Sequence, residues 1–439
     1  MRPLVGQRVV VFGMGLSGRA AARLAVKLGA DVHGVDSRDG LDPIDGVTLH
    51  SGEPDETLFR TADLVVVSPG IPARHPVLVA THAAGVERVG ELAFAARYAT
   101  VPIIGITGTN GKSTVTWFTH QLLEACGIST FVGGNLGRAV SEAVGSDAQM
   151  WVLEVSSYQL ELATGFRPRI GVVLNLTPDH LARHGDMTGY AQAKTDLFQS
   201  MNESDLAMVP TDNALLIAQA DRYPRPRRLW IGRAPGVVRS GNVATIAVNG
   251  ATHSIDLDAL TPLGEHNRDN AAVAVCVAIA AGAAPESVQA AIADLSGLPH
   301  RMEVVSDCGD VLVINDSKAT NLDAARTGLN ALERRAVVLL GGQRKGPGFA
   351  DLAPLLVNQR GVVCFGGDGQ VIADELVEAG VHALVVQTMD EALATGLALA
   401  EPGEAVLLSP GCASFDAYDN FAQRGDVFRA LAQAPRETR

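Results

Sequence analysis

Residues 103–114 read Ile-Ile-Gly-Ile-Thr-Gly-Thr-Asn-Gly-Lys-Ser-Thr, and this stretch decides the fold of the middle of the chain. An apolar run ends at Ile106, and apolar residues at Val115, Phe118 and Leu122 follow at helical spacing. A strand, a glycine-rich turn and a helix that begins at Lys-Ser form a cradle for phosphate, because backbone N–H groups and the helix N-terminus face the anion. The residues of this predicted phosphate loop are Gly108, Thr109, Asn110, Gly111, Lys112, Ser113 and Thr114.

The loop departs from the usual G-x-x-x-x-G-K-S spacing, which needs a glycine where Ile106 stands. The alternative interpretation is an ordinary glycine-rich turn without a ligand. The Gly-Lys-Ser-Thr run at the start of the helix favours the phosphate loop. In such a loop Lys112 reaches the terminal phosphates, and the hydroxyl of Ser113 is a ligand for Mg²⁺.

The composition of the 439-residue chain argues against several classes of protein. Lys and Arg total 35 against 48 Asp and Glu, a net charge of −13 without a long basic run, so we expect no binding to nucleic acid. No apolar run approaches the roughly 20 residues of a membrane span, and we expect no signal peptide at the N-terminus. The five scattered cysteines lack C-x-x-C spacing, which is typical of reduced thiols in a cytoplasm.

The first part of the chain reads as repeated β-α-β units, which predict a parallel sheet flanked by helices. Gly13-Met-Gly-Leu-Ser-Gly18 follows a short apolar strand, and Asp36 ends the next strand. A G-x-G-x-x-G turn with an acid further on is the fingerprint of a dinucleotide site. A nucleotide sugar fits equally well, since it also presents a diphosphate to the helix and a ribose hydroxyl to Asp36. A tight turn without a ligand is the remaining alternative.

Three polar residues stand out after the phosphate loop. Glu154 lies within an apolar strand, where a buried carboxylate needs a hydrogen-bond partner or a metal such as Mg²⁺. His180 follows another apolar strand, at the sheet edge where open α/β folds bind ligands. A structural role for either residue is the alternative. Lys194, next to Ala193 and Thr195 on a predicted helix, is interpreted from the pattern alone as a solvated lysine.

Polar residues also cluster in the second half of the chain. Asn267 and Asn270 precede an Ala/Val-rich helix and, being three residues apart, face the same way. Asn267 alone would be an N-cap, whereas the pair favours a ligand role. Polar loops then follow three apolar strands, at 315–321, 341–346 and 409–416. Such loops at one sheet edge predict a site for a small anion, with a plain solvated edge as the alternative.

These motifs resemble those of the Mur ligase family of peptidoglycan synthesis. The 108–114 loop with Glu154, His180 and Lys194 is similar to a series that this family shares with the folylpolyglutamate synthetases. Asn-Asp-Ser-Lys-Ala-Thr-Asn at 315–321, with the runs at 409–416 and 420–425, resembles the D-glutamate-adding branch. The Asp-Asn-Pro-Arg motif of the diaminopimelate- or lysine-adding members does not occur in the sequence.

The resemblance covers essentially the whole chain and implies an α/β fold of three domains. Residues 1–98 would form a Rossmann-like domain that binds a UDP-sugar. Residues 99–299 would form a central P-loop ATPase-like domain that binds ATP, and residues 300–439 a C-terminal Rossmann-like domain that binds an amino acid.

The implied activity is an ATP-dependent ligase that adds D-glutamate to UDP-N-acetylmuramoyl-L-alanine through an acyl phosphate, in cytoplasmic peptidoglycan precursor synthesis. Two Mg²⁺ ions are implied as cofactors, held with Ser113, Glu154, His180 and a carbamylated Lys194. Carbamylation turns the lysine into an anion, which reverses the solvated-lysine interpretation. We expect a monomer whose partners are small-molecule substrates.

The resemblance also implies residue roles. The catalytic residues are Lys112, His180, Lys194 and Lys318. The phosphate loop would bind ATP together with Asn270, Arg301 and Asp316. The UDP-sugar contacts fall on Leu16, Ser17, Asp36, Ser37, Arg38, Ser68, Gly70 and Asn135. The D-glutamate contacts fall on His180, Thr320, Lys345, Ser414 and Phe421, with Lys345 facing a carboxylate.

Two functions from other classes stay open at this point. A nicotinamide dehydrogenase would use the Gly13–Gly18 turn and Asp36, but it leaves the phosphate loop unexplained; its test is binding of NADH. A non-catalytic nucleotide switch predicts ATP binding without turnover. Another amino-acid ligase of the same superfamily is the nearest competitor.

Overall fold

The computed structural model describes residues 3–261, 264–332, 334–344, 346 and 348–434. The chain divides into two compact units, the first ending at Ser296 and the second beginning at Gly297. Two sheets lie in the first unit and one in the second, and the division falls beside the boundary predicted at residue 299. The boundary at residue 98 lies within the first unit and stays a prediction. No described helix is long and apolar enough to cross a membrane.

The first sheet is built from short apolar strands with helices between them. Its strands are β1 (Arg8–Phe12), β2 (Asp31–Asp36), β3 (Val47–Ser51), β4 (Leu64–Val67) and β5 (Glu87–Gly90). Its helices are α1 (Leu16–Lys27), α2 (Glu56–Arg60), α3 (Pro76–Ala83) and α4 (Glu91–Ala96). The strands are parallel in the order β3-β2-β1-β4-β5, so the turns after β1, β2 and β4 share one edge.

The second sheet carries the phosphate loop. Its strands are β6 (Ile103–Thr107), β7 (Thr130–Gly134), β8 (Met150–Glu154), β9 (Ile170–Val173), β10 (Leu206–Pro210), β11 (Arg227–Ile231), β12 (Gly236–Ser240), β13 (Val243–Val248) and β14 (Ala251–Asp256). They are ordered β14-β13-β12-β11-β10-β9-β6-β8-β7, antiparallel only at the β12-β13-β14 end. β6 lies between β8 and β9, which places the loops after these three strands side by side.

The helices of this part of the chain cover both faces of the second sheet. They are α5 (Lys112–Ala125), α6 (Ser157–Leu160), α7 (Leu181–His184), α8 (Met187–Thr195), α9 (Ala214–Ala220), α10 (Glu265–Ala280) and α11 (Pro285–Ala291). Short 3₁₀ helices span Val140–Ala143, Asp196–Phe198 and Ile292–Asp294. Phe118 and Leu122 of α5 pack with Val273 and Val277 of α10 in one buried core, which fixes α5 behind the phosphate loop.

The third sheet forms the second unit. Its strands are β15 (Glu303–Asp307), β16 (Leu312–Asn315), β17 (Ala336–Gly341), β18 (Gly361–Phe365), β19 (Ala383–Val385) and β20 (Ala405–Leu408). Its helices are α12 (Leu322–Asn330), α13 (Ala353–Leu356), α14 (Gly369–Glu378), α15 (Met389–Leu399) and α16 (Phe421–Gln433), with a 3₁₀ helix at Phe349–Leu352. The order is β15-β16-β20-β17-β18-β19, with β15 antiparallel. Insertion of β20 between β16 and β17 brings the three predicted polar loops together at one edge.

Candidate functional site

The loop between β6 and α5 takes a shape that requires glycine. Gly108 has φ +152° and Gly111 has φ +80°, conformations that side chains rarely adopt. A Cβ atom at Gly111 would lie 2.5 Å from Oδ1 of Asn270, so the loop approaches that side chain closely. α5 begins at Lys112 and gives the loop the positive end of a 14-residue helix. The structure therefore brings Asn270 to the predicted phosphate loop.

The structure settles one open alternative for Asn267 and gives a role to Asn175. Asn267 is not an N-cap, because α10 already begins at Glu265, after Gly264. Asn175, to which we assigned no role, holds the loop: its Oδ1 accepts hydrogen bonds from the N–H groups of Thr109 (3.1 Å) and Asn110 (2.9 Å). Its position directly after the apolar run of β9 was the available signal.

Glu154 lies at the end of β8 with only 2% of its surface exposed. Its Oε2 accepts a hydrogen bond from the Ser113 hydroxyl at 2.6 Å, and its Oε1 accepts one from Nδ2 of Asn135 at 2.6 Å. Within the described part of the chain, Glu154 forms no ion pair with Lys, Arg or His. A buried carboxylate that is bonded to neutral donors beside a phosphate loop is suited to a divalent cation.

Lys194 is 1% exposed, so the interpretation of it as a solvated helix lysine is wrong. Its Nζ donates a hydrogen bond to the Gly108 carbonyl at 2.7 Å and lies 4.3 Å from the centre of the Tyr190 ring. Burial, aided by the charge of Lys112, lowers the pKa of Lys194 to about 7. The side chain therefore reaches the phosphate loop in an environment that favours its neutral amine.

His180 precedes α7 with φ 53°, and its imidazole remains exposed. Its Nδ1 lies 3.2 Å from the Tyr158 hydroxyl and 3.4 Å from Oδ1 of Asp179. The ring also meets that of Tyr190 edge to face, with centroids 6.2 Å apart. Tyr190 thus contacts both His180 and Lys194, two of the residues predicted as Mg²⁺ ligands.

The turn after β1 is built as the fingerprint predicts. A Cβ atom at Gly18 would lie 1.8 Å from the Gly13 carbonyl oxygen, which itself accepts a 2.6 Å hydrogen bond from the Ser68 hydroxyl. Asp36 accepts hydrogen bonds from the N–H of Met14 at 2.7 Å and from the backbone and guanidinium of Arg38. These bonds, the Arg38 side chain foremost, hold the pKa of Asp36 well below its usual value.

The other predicted UDP-sugar residues lie around the same sheet edge, except Asn135, which lies beside Glu154. Leu16 is 79% exposed at the start of α1, although an apolar side chain is usually buried there. Ser37 and Arg38 follow β2, Ser68 and Gly70 follow β4, and Ser17 is half-buried in α1.

In the second unit, Asp316 follows β16 and is buried. Its carboxylate accepts hydrogen bonds from the Ser409 hydroxyl at 2.8 Å and from the N–H of Met302 at 3.3 Å. Burial raises the pKa of Asp316 to about 7, which favours the protonated acid. The hydrogen bond between Asp316 and Ser409 joins the loops after β16 and β20. Arg301, the other predicted ATP contact of this unit, is exposed.

Arg424 organises the same loops, although the sequence analysis gave it no role beyond its motif. Its guanidinium is buried and donates to the carbonyls of Ser317, Cys412 and Ala413 and to the Ser317 hydroxyl. That hydroxyl in turn donates to the carbonyl of Phe421 at 2.8 Å. One side chain thereby fixes the two polar loops and the start of α16 relative to each other.

Thr320, Ser414 and Phe421, three of the predicted D-glutamate residues, lie on these fixed segments, as does the predicted catalytic residue Lys318. Nζ of Lys318 lies 3.8 Å from the centre of the Phe421 ring. Thr320 is half-buried, and Ser414 is 2% exposed. Lys345 lies outside the described residues.

The described residues contain no group of three or more His, Cys, Asp or Glu side chains that could hold a metal ion. A Mg²⁺ ion at Glu154 would therefore need other oxygen ligands, such as the Ser113 hydroxyl and nucleotide phosphates.

Comparison with known proteins matches three successive parts of the chain to the same family. Three family models match: the Mur ligase MurD-like N-terminal domain at residues 7–90, the Mur ligase middle domain at 106–278, and the Mur ligase glutamate ligase domain at 300–412. Among solved structures, a UDP-N-acetylmuramate–alanine ligase, MurC, from Thermotoga maritima covers 96% of this chain and 98% of its own, with a TM-score of 0.57 at 18% identity. A MurF ligase from Thermotoga maritima in complex with ADP covers 98% of both chains, with a TM-score of 0.55 at 17% identity. These structures confirm the three-domain α/β fold.

Curated relatives are more similar in sequence. The UDP-N-acetylmuramoylalanine–D-glutamate ligase of Myxococcus xanthus is 41% identical over 98% of this chain and 99% of its own length. The enzyme of the same name from Desulfosudis oleivorans is 37% identical over 96% and 95%. The chain therefore belongs to the Mur ligase family, in the branch of the UDP-N-acetylmuramoylalanine–D-glutamate ligases.

Proposed function

We propose that this chain uses ATP to join the amine of D-glutamate to the alanyl carboxylate of UDP-N-acetylmuramoyl-L-alanine, with ADP and phosphate as the other products. The observation that carries the proposal is the 41% identity to a ligase of that name over 98% of the chain. It favours a ligase over the nicotinamide dehydrogenase and over the non-catalytic switch. The cytoplasmic setting and the monomeric state remain predictions.

Mur ligases use ATP and Mg²⁺, and the residues around Glu154 fit that requirement. A carboxylate and a hydroxyl are the oxygen ligands that Mg²⁺ prefers, and Glu154 and Ser113 already face each other at 2.6 Å. These two residues would hold one Mg²⁺ ion, and bound Mg²⁺ supplies positive charge that neutralises the phosphate oxygens. Lys112 would add its own charge from the start of α5.

The proposed second metal site involves His180 and a carbamylated Lys194. A lysine reacts with carbon dioxide only as the neutral amine, and the buried position of Lys194 favours that form. The resulting carbamate would be an anion beside the phosphate loop, where a cationic lysine has only the Gly108 carbonyl as its hydrogen-bond acceptor among the described residues. This chemistry supports the predicted modification.

The reaction requires activation of a poor electrophile. An oxygen of the alanyl carboxylate attacks the γ-phosphorus of ATP, the bond to ADP breaks, and an acyl phosphate forms. The neutral amine of D-glutamate then attacks the acyl carbon, a proton leaves the nitrogen, and phosphate departs as the amide forms. Lys112 and Lys318 would stabilise the negative charge that builds up in these steps. The mechanism needs no covalent enzyme nucleophile.

The proposed substrate contacts are the sets that the resemblance implies. We propose that the UDP-sugar binds at the first sheet through Leu16, Ser17, Asp36, Ser37, Arg38, Ser68 and Gly70, with Asn135 nearer the reacting end. ATP would contact the phosphate loop and, in addition, Asn270, Arg301 and Asp316. D-Glutamate would contact His180, Thr320, Lys345, Ser414 and Phe421. Two observations support these sets: Asn270 lies close to the phosphate loop, and Arg424 bonds to Ala413, the neighbour of Ser414, and to the Ser317 hydroxyl that donates to the Phe421 carbonyl.

A phosphate-release assay tests the function. Release should require ATP, Mg²⁺, UDP-N-acetylmuramoyl-L-alanine and D-glutamate together, and mass spectrometry should identify the amide product. Equal release with L-glutamate or meso-diaminopimelate in place of D-glutamate would contradict the assignment. Binding of NADH in the absence of any ligase activity would restore the dehydrogenase interpretation.

A further inference from the structure

The side chain of Tyr158 lies between His180 and Arg183, which forms a partly buried ion pair with Glu161. Its hydroxyl is 3.2 Å from Nδ1 of His180, and the two ring centroids are 5.0 Å apart. The guanidinium of Arg183 lies over the Tyr158 ring, 4.8 Å from its centre. The Tyr158 hydroxyl therefore contacts the imidazole of His180, while the guanidinium of Arg183 packs on the Tyr158 ring.

Arg183 is itself fixed. Its Nε and one terminal nitrogen each donate a 2.7 Å hydrogen bond to Glu161, a two-pronged pairing that restricts the guanidinium plane. Both side chains are largely buried, with 15% and 19% of their surfaces exposed. Arg183 covers one face of the Tyr158 ring. Tyr158 also lies in α6, whose start is fixed by a capping box of Ser156 and Gln159. These two contacts restrict the Tyr158 side chain.

The surroundings of Nδ1 select one form of the His180 ring. The Asp179 carboxylate, which only accepts hydrogen bonds, has Oδ1 3.4 Å from the same Nδ1 that faces the Tyr158 hydroxyl. A proton on Nδ1 can be donated to the Tyr158 hydroxyl oxygen and lies beside the negative charge of Asp179, whereas an unprotonated Nδ1 would face the carboxylate lone pairs. With the proton on Nδ1, the lone pair of Nε2 points away from Tyr158 and is available to a ligand.

We propose that Tyr158 is a positioning residue that, with Asp179, holds the proton of His180 on Nδ1 and the imidazole in a fixed orientation, so that Nε2 is presented unprotonated to the reaction site. The assignment of His180 to that site rests on the proposed function. Residues that orient a metal-binding or catalytic histidine through its other nitrogen contribute about 10- to 100-fold to affinity or activity. Tyr158 acts through His180 and does not itself contact substrate.

The direct test is the position of the ring proton in the ligand-free protein. Full-length protein labelled with ¹⁵N-histidine is studied by long-range ¹H–¹⁵N NMR at pH 8, and the His180 signals are identified by their loss in His180→Gln. We expect the Nδ1–H form to predominate in the wild type and the Nε2–H form, preferred by free imidazole, to increase in Tyr158→Phe. Tyr223→Phe, which removes a hydroxyl bonded to Asp196 elsewhere in the same unit, is the matched control and should leave His180 unchanged.

A predominantly Nε2–H ring in the wild type, or an unchanged ring in Tyr158→Phe, would overturn the proposal. In the phosphate-release assay, Tyr158→Phe should lower kcat about tenfold or more, with KM for D-glutamate little changed. Glu161→Gln, which loosens Arg183, should shift the ring in the same direction by a smaller amount. If the wild type released no phosphate, the proposed function would fail while the NMR result would still decide the role of Tyr158.

Discussion

Substitution of Glu91 by glutamine should remove a pH-dependent loss of stability in the first unit. Glu91 begins α4 and is 1% exposed. Its Oε1 accepts hydrogen bonds from the N–H and the hydroxyl of Ser141, each 2.6 Å long, whereas Oε2 is buried without a partner in the described structure. Ser141 belongs to the 3₁₀ helix between β7 and β8, so this contact joins the first sheet to the part of the chain that carries Glu154.

The magnitude follows from the environment of the carboxyl group. Burial raises the pKa of Glu91 from 4.5 to about 7, although the Ser141 hydrogen bonds oppose the rise. In the unfolded chain the carboxyl ionises above pH 4.5, while in the folded chain it stays protonated up to about pH 7, so folding takes up a proton in this window. Stability contributed by this group is therefore present below pH 4.5 and is lost as the pH rises to about 7. The loss is about 1.4 kcal/mol per pH unit, or on the order of 3 kcal/mol in all.

The assay is urea unfolding followed by tryptophan fluorescence at pH 5 and pH 8, since Trp117, Trp151 and Trp230 all lie in the first unit. Glu91→Gln should lie within about 1 kcal/mol of the wild type at pH 5 and exceed its free energy of unfolding by about 3 kcal/mol at pH 8. Glu87→Gln, a change at an exposed residue, should follow the wild type at both pH values. Parallel pH dependences in the wild type and Glu91→Gln would refute the reasoning.

Two further substitutions test the proposed active site. Lys194→Ala should lose most ligase activity, and added short carboxylates should restore part of it by replacing the carbamate; a fully active variant would contradict the carbamate proposal. Asp36→Asn removes the ion pair with Arg38 and weakens the anchor of the Met14 N–H, so KM for the UDP-sugar should rise about tenfold with little change in kcat, on the scale of a lost charged hydrogen bond. Unchanged KM in Asp36→Asn would show that the turn after β1 keeps its shape without the carboxylate.

The strands at the centre of each sheet could be predicted because burial on both faces makes them continuously apolar. β1, β4 and β20 coincide with apolar runs of the sequence, and nearly all their side chains are inaccessible. β3 and β15, which were not predicted, lie at sheet edges and expose part of each strand. Their sequences carry polar residues that a local pattern cannot distinguish from loops.

The residues of the candidate site also divide into those that local sequence predicts and those that it does not. Motif spacing placed the phosphate loop, Glu154 and Asp36, because each lies at or directly after a strand end that the apolar runs mark. The burial of Lys194 could not be inferred locally, since it depends on α8 packing against the loop at Gly108, 86 residues earlier in sequence. Arg424 is a similar case: its partners at Ser317 and Cys412 become neighbours only once β20 is inserted between β16 and β17.

Asp36 shows how the structure changes the meaning of a motif that was placed correctly. The fingerprint predicts a carboxylate that binds a ribose hydroxyl, but each oxygen of Asp36 already accepts two hydrogen bonds, from Met14 and Arg38. A carboxylate offers about four such acceptor positions, so a direct bond to the UDP-sugar requires the Arg38 side chain to leave. The Arg38 side chain is 62% exposed, so its pair with Asp36 lies open to solvent, whereas the bond from the Met14 N–H shapes the turn itself. We therefore propose two separable functions for the motif: the bond from the Met14 N–H forms the turn, and the pair with Arg38 is the part that a bound nucleotide would displace.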